Sequence, residues 1–348
     1  MEKKQIEQYL AVENKAELDA LFEKAYNVKA ENVGRIVYLR GLIEISNICQ
    51  KNCHYCGIRK ENKNVNRYKL TKKEILQTAK WIYENKYGSL LLQSGERGDA
   101  AFVDFIEEVV HEIKQIGSGA LGITLSLGEQ SLKTYQRWFN AGAHRYLLRI
   151  ESSNPRLYAK IHPPEMSYDN RVNSLKSLKE SGYQVGTGVM IGIPGQTLSD
   201  LADDIIFFKE LDIDMIGMGP FIPHNDTPMG HYLESFNTKK QFILALKMIA
   251  ATRIGLQDIN IAAATALQAL KDDGRELALK AGANIIMPNV TDVQYRASYQ
   301  LYENKPCIDE NSEQCKSCLT ARIISAGESV GFEEWGDSPH FKKRLKTN

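Results

Sequence analysis

Neither sign of charge is in excess in this 348-residue sequence, which has 44 Lys and Arg against 43 Asp and Glu and a formal net charge of +1. This balance argues against a nucleic-acid face or a membrane-attracted surface as the main activity. No run of 18 apolar residues occurs, and residues 1–7 lack the apolar segment of a signal peptide. We therefore expect a cytoplasmic protein that binds neither membrane nor nucleic acid.

Cysteine is scarce, but the six residues fall in two groups of three. In a cytosolic chain such cysteines indicate metal ligands or catalysts more than disulfides. The first group, Cys49, Cys53 and Cys56, directly follows a short apolar run. Three thiolates in one loop can hold three irons of a 4Fe-4S cluster and leave the fourth iron open, whereas a closed cluster takes four cysteines. A zinc site completed by His54 or a distant cysteine is the alternative, although zinc ligands usually come as separated pairs.

Short apolar runs alternate with helical patterns from about residue 39 onward. The alternation predicts an α/β fold, and eight units favour a (β/α)8 TIM-type barrel over a doubly wound open sheet. We expect a single domain with an N-terminal helical extension over about 1–38, a barrel core over 39–288 and a C-terminal extension over 289–348. The predicted strands are 42–46, 89–93, 121–126, 145–150, 184–189, 215–218, 260–263 and 283–287.

Polar residues follow several of these strands, at the end where TIM-type barrels keep their functional groups. Ser94, Gly95 and Glu96 close the second strand, where a carboxylate could accept hydrogen bonds from an ammonium group or simply be solvated in a turn. At the end of the fourth strand, Arg149 and Glu151 point to the same side because strand side chains alternate. Since buried charges must be paired or ligand-bound, these two form either an internal ion pair or part of a binding site.

The stretch Cys49-x3-Cys53-His54-Tyr55-Cys56 resembles the C-x3-C-x-aromatic-C signature of the radical S-adenosylmethionine (SAM) superfamily. Residues 35–320 as a whole are similar to its biotin-synthase-like branch, which includes biotin synthase, methylornithine synthase and the FeFe-hydrogenase maturases of the HydE type. The segment 149–155 differs from the corresponding segment of biotin synthase. That difference, together with the second cysteine group, favours the HydE type.

The resemblance implies that Cys49, Cys53 and Cys56 hold a 4Fe-4S cluster, which binds SAM and cleaves it reductively to a 5′-deoxyadenosyl radical. No catalytic side chain is implied beyond the cluster and SAM, because the difficult chemistry belongs to the cofactor. Ser94 stands where the first glycine of the family's Gly-Gly-Glu motif is usual. The residues expected to contact SAM are Tyr55, Ser94, Gly95, Glu96, Glu151, Arg171, Gly192 and Ile193.

The resemblance also implies a role in assembling the diiron subcluster (the H-cluster) of FeFe-hydrogenase, on a small sulfur-containing or cysteine-bound iron substrate. Its partners would be other hydrogenase maturation proteins, including a scaffold GTPase, and an electron donor. A methylornithine-synthase-like or biotin-synthase-like enzyme is the alternative within the superfamily, and a non-catalytic iron–sulfur electron-transfer or carrier protein is the alternative outside it. The residues expected to contact substrate are Thr124, Ser126, Arg149, Thr265, Tyr295, Tyr299 and Tyr302.

The second cysteine group, Cys307, Cys315 and Cys318, lies in a polar tail after the last predicted strand. Its spacing could hold a second iron–sulfur cluster. No fourth ligand is evident, so a zinc site or an oxidation-prone tail is the alternative. The neighbouring tyrosines at 295, 299 and 302 could equally form an ordinary helix face, because they are spaced i, i+4, i+7.

Overall fold

The computed structural model describes residues 1–309 and 312–347, apart from the side chains of residues 314, 315 and 347. Within this part of the chain, eight parallel strands form the wall of a barrel and three short strands extend or flank it. The strands are Ile36–Ser46 (β1), Ser89–Ser94 (β2), Gly122–Ser126 (β3), Arg145–Leu147 (β4), Gln184–Thr187 (β5), Met190–Ile191 (β6), Met215–Ile216 (β7), Gly219–Pro220 (β8), Asn260–Ile261 (β9), Ile285–Ile286 (β10) and Ser329–Gly331 (β11).

The ring of strands closes on itself. β1 pairs with β2 on one side and with β10 on the other, and the pairing continues from β2 through β3, β4, β5 and β7 to β9. Ala262, one residue past β9, forms a parallel bridge to Ile285 in β10, and the Ala263 N–H donates to the Ile285 carbonyl at 2.8 Å. The predicted (β/α)8 barrel is therefore confirmed, and the open-sheet alternative is excluded.

The barrel strands are apolar because both of their faces are covered. Leu90, Leu91 and Leu92 are successive residues of β2, and all three are buried. Consecutive apolar residues are typical of parallel strands that have helices on one side and a packed interior on the other. Several strands end earlier than predicted, since β4 stops at Leu147 and β5 at Thr187. Beyond these points the two segments still meet at a parallel bridge between Glu151 and Val189.

Helices surround the ring. A capping box of Thr71 and Glu74 opens the third helix. No helix among the described residues is long and apolar enough to cross a bilayer. The helices are Lys3–Ala11 (α1), Lys15–Asn32 (α2), Lys72–Glu84 (α3), Ala100–Gln115 (α4), Leu132–Ala141 (α5), Pro155–Ile161 (α6), Tyr168–Glu180 (α7), Leu198–Glu210 (α8), Thr238–Gly255 (α9), Thr265–Leu270 (α10), Gly274–Lys280 (α11), Val293–Arg296 (α12), Ser312–Ser325 (α13) and Pro339–Thr347 (α14).

The N-terminal helices pack on the outside of the barrel, α1 against α8 and α2 against α9. Ile6 and Leu10 of α1 are buried in the main core. Gly34 follows α2 with φ +80°, a left-handed conformation that commonly ends helices. The helical extension therefore stops before the predicted limit of about residue 38, and the first barrel strand begins at Ile36.

The C-terminal segment covers the lower end of the barrel, where the strands begin. Arg145 donates to Asp337 at 2.6 Å and to the Trp335 carbonyl at 2.8 Å. The Gly336 carbonyl accepts hydrogen bonds from Asn260 at 2.9 Å and from Arg40 at 3.2 Å. The lower end is thereby closed, and the opposite end, at the carboxyl ends of the strands, is left for the site.

Candidate active site

A cavity of about 350 Å³ lies at the carboxyl ends of the barrel strands. Its lining comes from the loops that follow successive strands and from the C-terminal segment after β10, as expected for a TIM-type barrel. The cavity brings together most of the residues that the sequence singled out. Those that line it are Cys49, Cys53, Tyr55, Cys56, Ser94, Gly95, Glu96, Ser126, Arg149, Glu151, Arg171, Thr265, Tyr299 and Tyr302.

The cysteine loop, residues 49–57, lies against the end of β2 because Gly95 has no side chain. A Cβ atom on Gly95 would be 2.5 Å from the Ile48 carbonyl oxygen and 2.7 Å from Cys49 Cβ, closer than such atoms approach in proteins. The Gly95 N–H also donates to the Ser46 carbonyl at 2.9 Å. This glycine thus seats the loop that carries the thiols.

A single arginine joins the segments on either side of the cysteine loop. Arg67 Nη1 donates to the carbonyls of Asn47 at 2.7 Å and Ile58 at 2.8 Å. Its Nη2 donates to the carbonyls of Arg59 at 2.6 Å and Asn62 at 3.1 Å. The planar guanidinium, with five donors, can make all four bonds at once. Sequence analysis missed Arg67, because an arginine that bonds to carbonyls leaves no local pattern.

Burial sets the acidity of the three thiols. It raises the pKa of Cys49 and Cys56, and it raises that of Cys53 to about 12. The Lys51 N–H donates to Cys49 Sγ at 3.4 Å. Buried thiols of this kind become thiolates when a metal displaces their protons. Three of them facing one cavity therefore fit a metal cluster as ligands.

His54 is turned away from the thiols. Its Nδ1 lies 3.2 Å from the Lys160 carbonyl oxygen, and its side chain does not line the cavity. The atom close to Cys53 Sγ is instead the Met166 sulfur, at 3.7 Å. A zinc site completed by His54 therefore finds no support in the arrangement of the loop.

Four charged groups form a network beside the cysteines. Lys51 Nζ lies 3.1 Å from a Glu96 carboxylate oxygen and 3.8 Å from one of Glu129. Glu129 in turn pairs with Arg171. Burial raises the pKa of Glu96, whose carboxyl group occupies space left free by Gly128, where a Cβ would lie 2.2 Å from Glu96 Cγ. Sequence analysis missed Glu129, although the Gly–Glu pair after β3 repeats the one after β2 and could have revealed it.

Arg149 and Glu151 form the internal ion pair that was one of the two readings of the sequence, with 2.9 Å between Nη2 and Oε2. Both side chains nevertheless line the cavity. Glu151 has φ +66°, which is uncommon for a residue with a Cβ and is often found at functional sites. Its backbone is held in place by the Gly188 carbonyl, which accepts its N–H at 3.0 Å, and by the Met190 N–H, which donates to its carbonyl at 2.9 Å.

A second buried ion pair reaches the cavity from its other side. Lys305 Nζ contacts Glu44 Oε1 at 2.5 Å and donates to the Tyr299 carbonyl at 2.8 Å. Asn289 donates to the other Glu44 oxygen at 3.0 Å. Glu44 and Lys305 both line the cavity and were both missed from the sequence. The signal for Glu44 was present, because a lone carboxylate inside an otherwise apolar strand requires a partner.

Two predicted substrate contacts lie elsewhere. Thr124 is fully buried inside the barrel, where its hydroxyl accepts a hydrogen bond from Arg145 Nε at 3.0 Å. Tyr295 stacks on Tyr68 with 4.8 Å between ring centroids, and its hydroxyl donates to Glu74 at 2.7 Å. Neither lines the cavity. Tyr295 points away because it lies in the short helix α12, which separates it from Tyr299 and Tyr302.

Two predicted SAM contacts, Gly192 and Ile193, lie behind the cavity lining. The N–H groups of both donate to the Gln196 side chain, at 2.6 and 3.1 Å. Gly192 has φ +78°, and a Cβ there would collide with the Gln241 amide. Ile193 belongs to an apolar cluster against which Tyr55 packs. Ile193 therefore supports Tyr55, and neither Gly192 nor Ile193 lines the cavity.

The second cysteine group is described only in part. Cys307 is half-buried with φ +63°, and its sulfur lies 4.0 Å from Arg275 Nη2. Cys318 is exposed on α13. The Cys315 side chain lies outside the described residues. A second cluster therefore stays a prediction.

Comparison with known proteins places the chain in a family. The profile of the Radical SAM superfamily matches residues 43–208. The [FeFe] hydrogenase maturase subunit HydE of Thermotoga maritima is 45% identical over 332 residues, which are 95% of this chain and 92% of that protein. The chain belongs to the radical SAM superfamily. The resemblance to HydE predicted from the sequence is confirmed.

Other relatives agree with this placement. The 3-methylornithine synthase of Methanosarcina acetivorans is 28% identical over 332 residues, covering 93% of this chain and 87% of that protein. The crystal structure of methylornithine synthase (PylB) superposes with a TM-score of 0.80 at 27% identity, covering 95% of this chain and 94% of that one. As a radical SAM enzyme, the protein uses a 4Fe-4S cluster and SAM.

Proposed function

We propose that this radical SAM enzyme acts in hydrogenase maturation, on a small sulfur-containing or cysteine-bound iron species that becomes part of the diiron subcluster of FeFe-hydrogenase. One observation carries the proposal. Three half-buried cysteines and two ion-paired arginines line a single cavity inside a closed barrel, in a chain that is 45% identical to HydE.

Cys49, Cys53 and Cys56 would hold the cluster, which when bound supplies the electron that breaks a carbon–sulfur bond of SAM. Glu96 would accept hydrogen bonds from the ammonium group of SAM, and the charges of Arg171 and Lys51 oppose the effect of burial on its pKa. Arg171 would donate to the carboxylate of SAM, because it lines the cavity next to Glu129. Closure of the barrel keeps water away from the reacting groups.

The SAM site would be completed by Tyr55, Ser94, Gly95 and Glu151, which line the same cavity. Glu151 could accept a hydrogen bond from the ribose or the ammonium group, on the oxygen that does not face Arg149. Gly192 and Ile193 would act indirectly, by supporting Tyr55.

The substrate end of the cavity carries the remaining charges. Arg149 and Lys305 each have a carboxylate partner, yet both line the cavity and could add a hydrogen bond to an anionic substrate. Ser126, Thr265, Tyr299 and Tyr302 line the cavity as well, and complete the proposed set. Thr124 and Tyr295 are not part of this set, since each has its hydrogen-bond partner outside the cavity.

Cys307, Cys315 and Cys318 would hold a second iron–sulfur cluster, with Arg275 near Cys307 as a compensating charge. The other hydrogenase maturation proteins, including a scaffold GTPase, and an electron donor would be the partners. A cytoplasmic location belongs to the same proposal, because a reducing compartment keeps the cysteines available as ligands.

Anaerobic reconstitution with iron and sulfide tests the enzymatic proposal, followed by addition of reductant and SAM and quantification of 5′-deoxyadenosine. We expect 5′-deoxyadenosine from the wild type and none from Cys49→Ala. A cluster whose spectrum does not change on addition of SAM, and which yields no 5′-deoxyadenosine, would instead identify an electron-transfer or carrier protein.

Arg149→Ala separates the substrate site from the SAM site. We expect substrate turnover to fall by at least 100-fold, a loss of about 3 kcal/mol in transition-state stabilisation. Cleavage of SAM should stay within a few-fold of the wild type, because Arg149 lies on the substrate side. Arg156→Ala, which changes an exposed arginine of α6, is the control. Loss of SAM binding in Arg149→Ala would contradict the assignment.

A further inference from the structure

The balance of charge over the whole sequence conceals a strongly basic segment next to the cysteine loop. Residues 51–73 contain eight Lys and Arg but a single acidic residue, Glu61. Elsewhere the chain compensates for this excess, since the total is only +1. A local field of this strength is the kind that steers an oppositely charged partner toward a surface.

Four lysines of this segment are exposed and form no ion pair among the described residues. The segment's ion pairs join Arg59 to Glu61, Lys72 to Glu108 and Glu112, and Lys51 to the buried site. Within the described parts of the chain, no carboxylate pairs with the remaining exposed lysines. These lysines are Lys60, Lys63 and Lys69 before α3, and Lys73 within α3.

The basic residues lie directly behind a cluster ligand. A surface pocket is lined by Arg67, Lys69 and Arg97, and its floor includes Ile48 and Gln50, the two neighbours of Cys49. Arg97 is neutralised by Asp99, which lies in the same pocket. Arg67 bonds to four backbone carbonyls, and no carboxylate of the described residues pairs with it. A partner seated here would be separated from Cys49 by little more than one layer of backbone.

We propose that this basic surface, defined by Lys60, Lys63, Arg67 and Lys69, docks an acidic one-electron carrier protein. The inference rests on the proposed function, which requires an electron from outside the chain. The carrier would be oxidised by one electron and the cluster reduced by one, with no atom transferred. The pocket lies outside the barrel and behind the cysteine loop, so the carrier would not obstruct the cavity that takes SAM and substrate.

Charge reversal tests the docking surface. The variant is Lys60→Glu with Lys63→Glu and Lys69→Glu, and the control reverses three exposed lysines elsewhere, Lys209, Lys280 and Lys342. A second variant has glutamine at 60, 63 and 69. It removes the three positive charges without adding negative ones, so any repulsion that could damage the loop is avoided. The probe is an acidic flavodoxin, used in its oxidised form for calorimetric binding and in its reduced form for stopped-flow reduction of the cluster.

We expect charge reversal to weaken flavodoxin binding and to slow cluster reduction by flavodoxin at least tenfold at low salt, with a smaller effect of the glutamine variant. The difference should shrink at high salt, because exposed charges are screened. Reduction by dithionite should be unchanged in every variant, which shows that the cluster is intact. The proposal would be overturned if the control variant lost as much flavodoxin binding as the charge-reversal variant. It would also be overturned if both variants at 60, 63 and 69 bound flavodoxin as the wild type does.

The two proposals fail in different ways. If dithionite and SAM give no 5′-deoxyadenosine even in the wild type, the enzymatic proposal is wrong, while the calorimetric result still decides the docking surface. If dithionite supports SAM cleavage in all variants but flavodoxin reduces them all equally, only the docking proposal is wrong.

Discussion

At the scale of single residues, the site depends on two glycines as well as on its functional side chains, because a Cβ atom at either glycine would collide with a neighbour. Gly95 lets the cysteine loop approach β2, and Gly128 leaves room for the Glu96 carboxyl group. The sequence motif around Gly95 indicated only a turn with a carboxylate. The structure adds that the glycine is required by the position of Cys49, so its role is to place a metal ligand.

Gly95→Ala should therefore impair cluster binding without abolishing folding. The added Cβ would force the Ile48 carbonyl and Cys49 away from their positions, since both lie within 2.7 Å of it. We expect reconstituted protein to hold less than half of the wild-type iron. Gly98→Ala is the matched control, because its Cβ would meet its nearest neighbour only at 3.8 Å. Full iron content in Gly95→Ala would show that the loop can shift freely.

The buried pair of Glu44 and Lys305 gives a second prediction at this scale. Lys305→Met leaves the Glu44 carboxyl group without its cationic partner in a buried place, with side-chain exposures in the wild type of only 8% for Lys305 and 2% for Glu44. Loss of one partner from a buried pair costs about 3–5 kcal/mol of unfolding free energy. Urea unfolding should show this loss, and Glu44→Gln combined with Lys305→Met should restore a large part of it.

The exposed pair of Lys271 and Asp273 provides the comparison. Lys271→Met should change the unfolding free energy by no more than about 1 kcal/mol, because exposed pairs contribute little. An equal effect of Lys271→Met and Lys305→Met would mean that burial of the Glu44 pair has no energetic consequence.

At the scale of elements, the segment 58–67 acts as a clasp over the cysteine loop. Asn62 donates to the Gly57 carbonyl of the loop at 2.6 Å, and Arg67 donates to the Asn47 carbonyl just before the loop at 2.7 Å. After this segment the chain returns to β1, where the Leu70 N–H donates to the Ile45 carbonyl at 2.8 Å. No regular secondary structure stabilises it, so Arg67 supplies much of its order. A loop held by one side chain should open when that side chain changes.

Arg67→Lys should keep the charge but lose at least two of the four carbonyl bonds, because an ammonium group cannot span the guanidinium fork. We expect amide hydrogens of residues 47–62 to exchange at least tenfold faster, and the cluster to be lost sooner on dilution. Lys69→Arg is the control, since it keeps both the charge and the clasp. Because the charge at position 67 is kept, flavodoxin binding should weaken less in Arg67→Lys than in the charge-reversal variant.

At the scale of the whole molecule, the barrel is closed below by the C-terminal segment and open above to the site. Asp337 is the centre of the lower closure, where it meets Arg145 at 2.6 Å and His144 at 3.3 Å. Burial alone would raise the pKa of Asp337, but the hydrogen bond with His144 and the charge of Arg145 outweigh it and hold this pKa well below its usual range.

A carboxylate with a depressed folded-state pKa stabilises the fold above its unfolded pKa of about 3.9 and loses that contribution as the pH falls toward the folded pKa. Asp337→Asn should therefore lower the unfolding free energy by about 3 kcal/mol at pH 7. The difference from wild type should shrink below about pH 4, because Asp337 of the unfolded wild-type chain takes up a proton there while Asp337 of the folded chain stays ionised. Asp19→Asn, on an exposed face of α2, should change little at any pH.

The pH dependence is the decisive part of this measurement. Urea unfolding, followed by circular dichroism at several pH values, gives the difference directly. A constant difference between Asp337→Asn and wild type from pH 7 to pH 3 would show that the side chain acts through its shape and not through its charge.

The cysteine motif and the barrel could be predicted from the sequence, because both depend on local patterns of residues. The spacing of Cys49, Cys53 and Cys56 indicated a cluster with an open iron, and the alternation of apolar runs predicted the barrel and the end of it that carries the site. The comparisons confirmed the superfamily. Such features are readable because a motif or a period is written in consecutive residues.

The partners in the buried ion pairs could not be predicted from the sequence and are known from the folded structure alone. Lys305 and Glu44 are 261 residues apart, Arg171 and Glu129 are 42 apart, and Arg145 and Asp337 are 192 apart. Nothing in the sequence around one partner specifies the other, because the pairing arises when barrel closure brings distant segments to the same place. The same closure placed Tyr299 and Tyr302 in the cavity while Tyr295 faced outward.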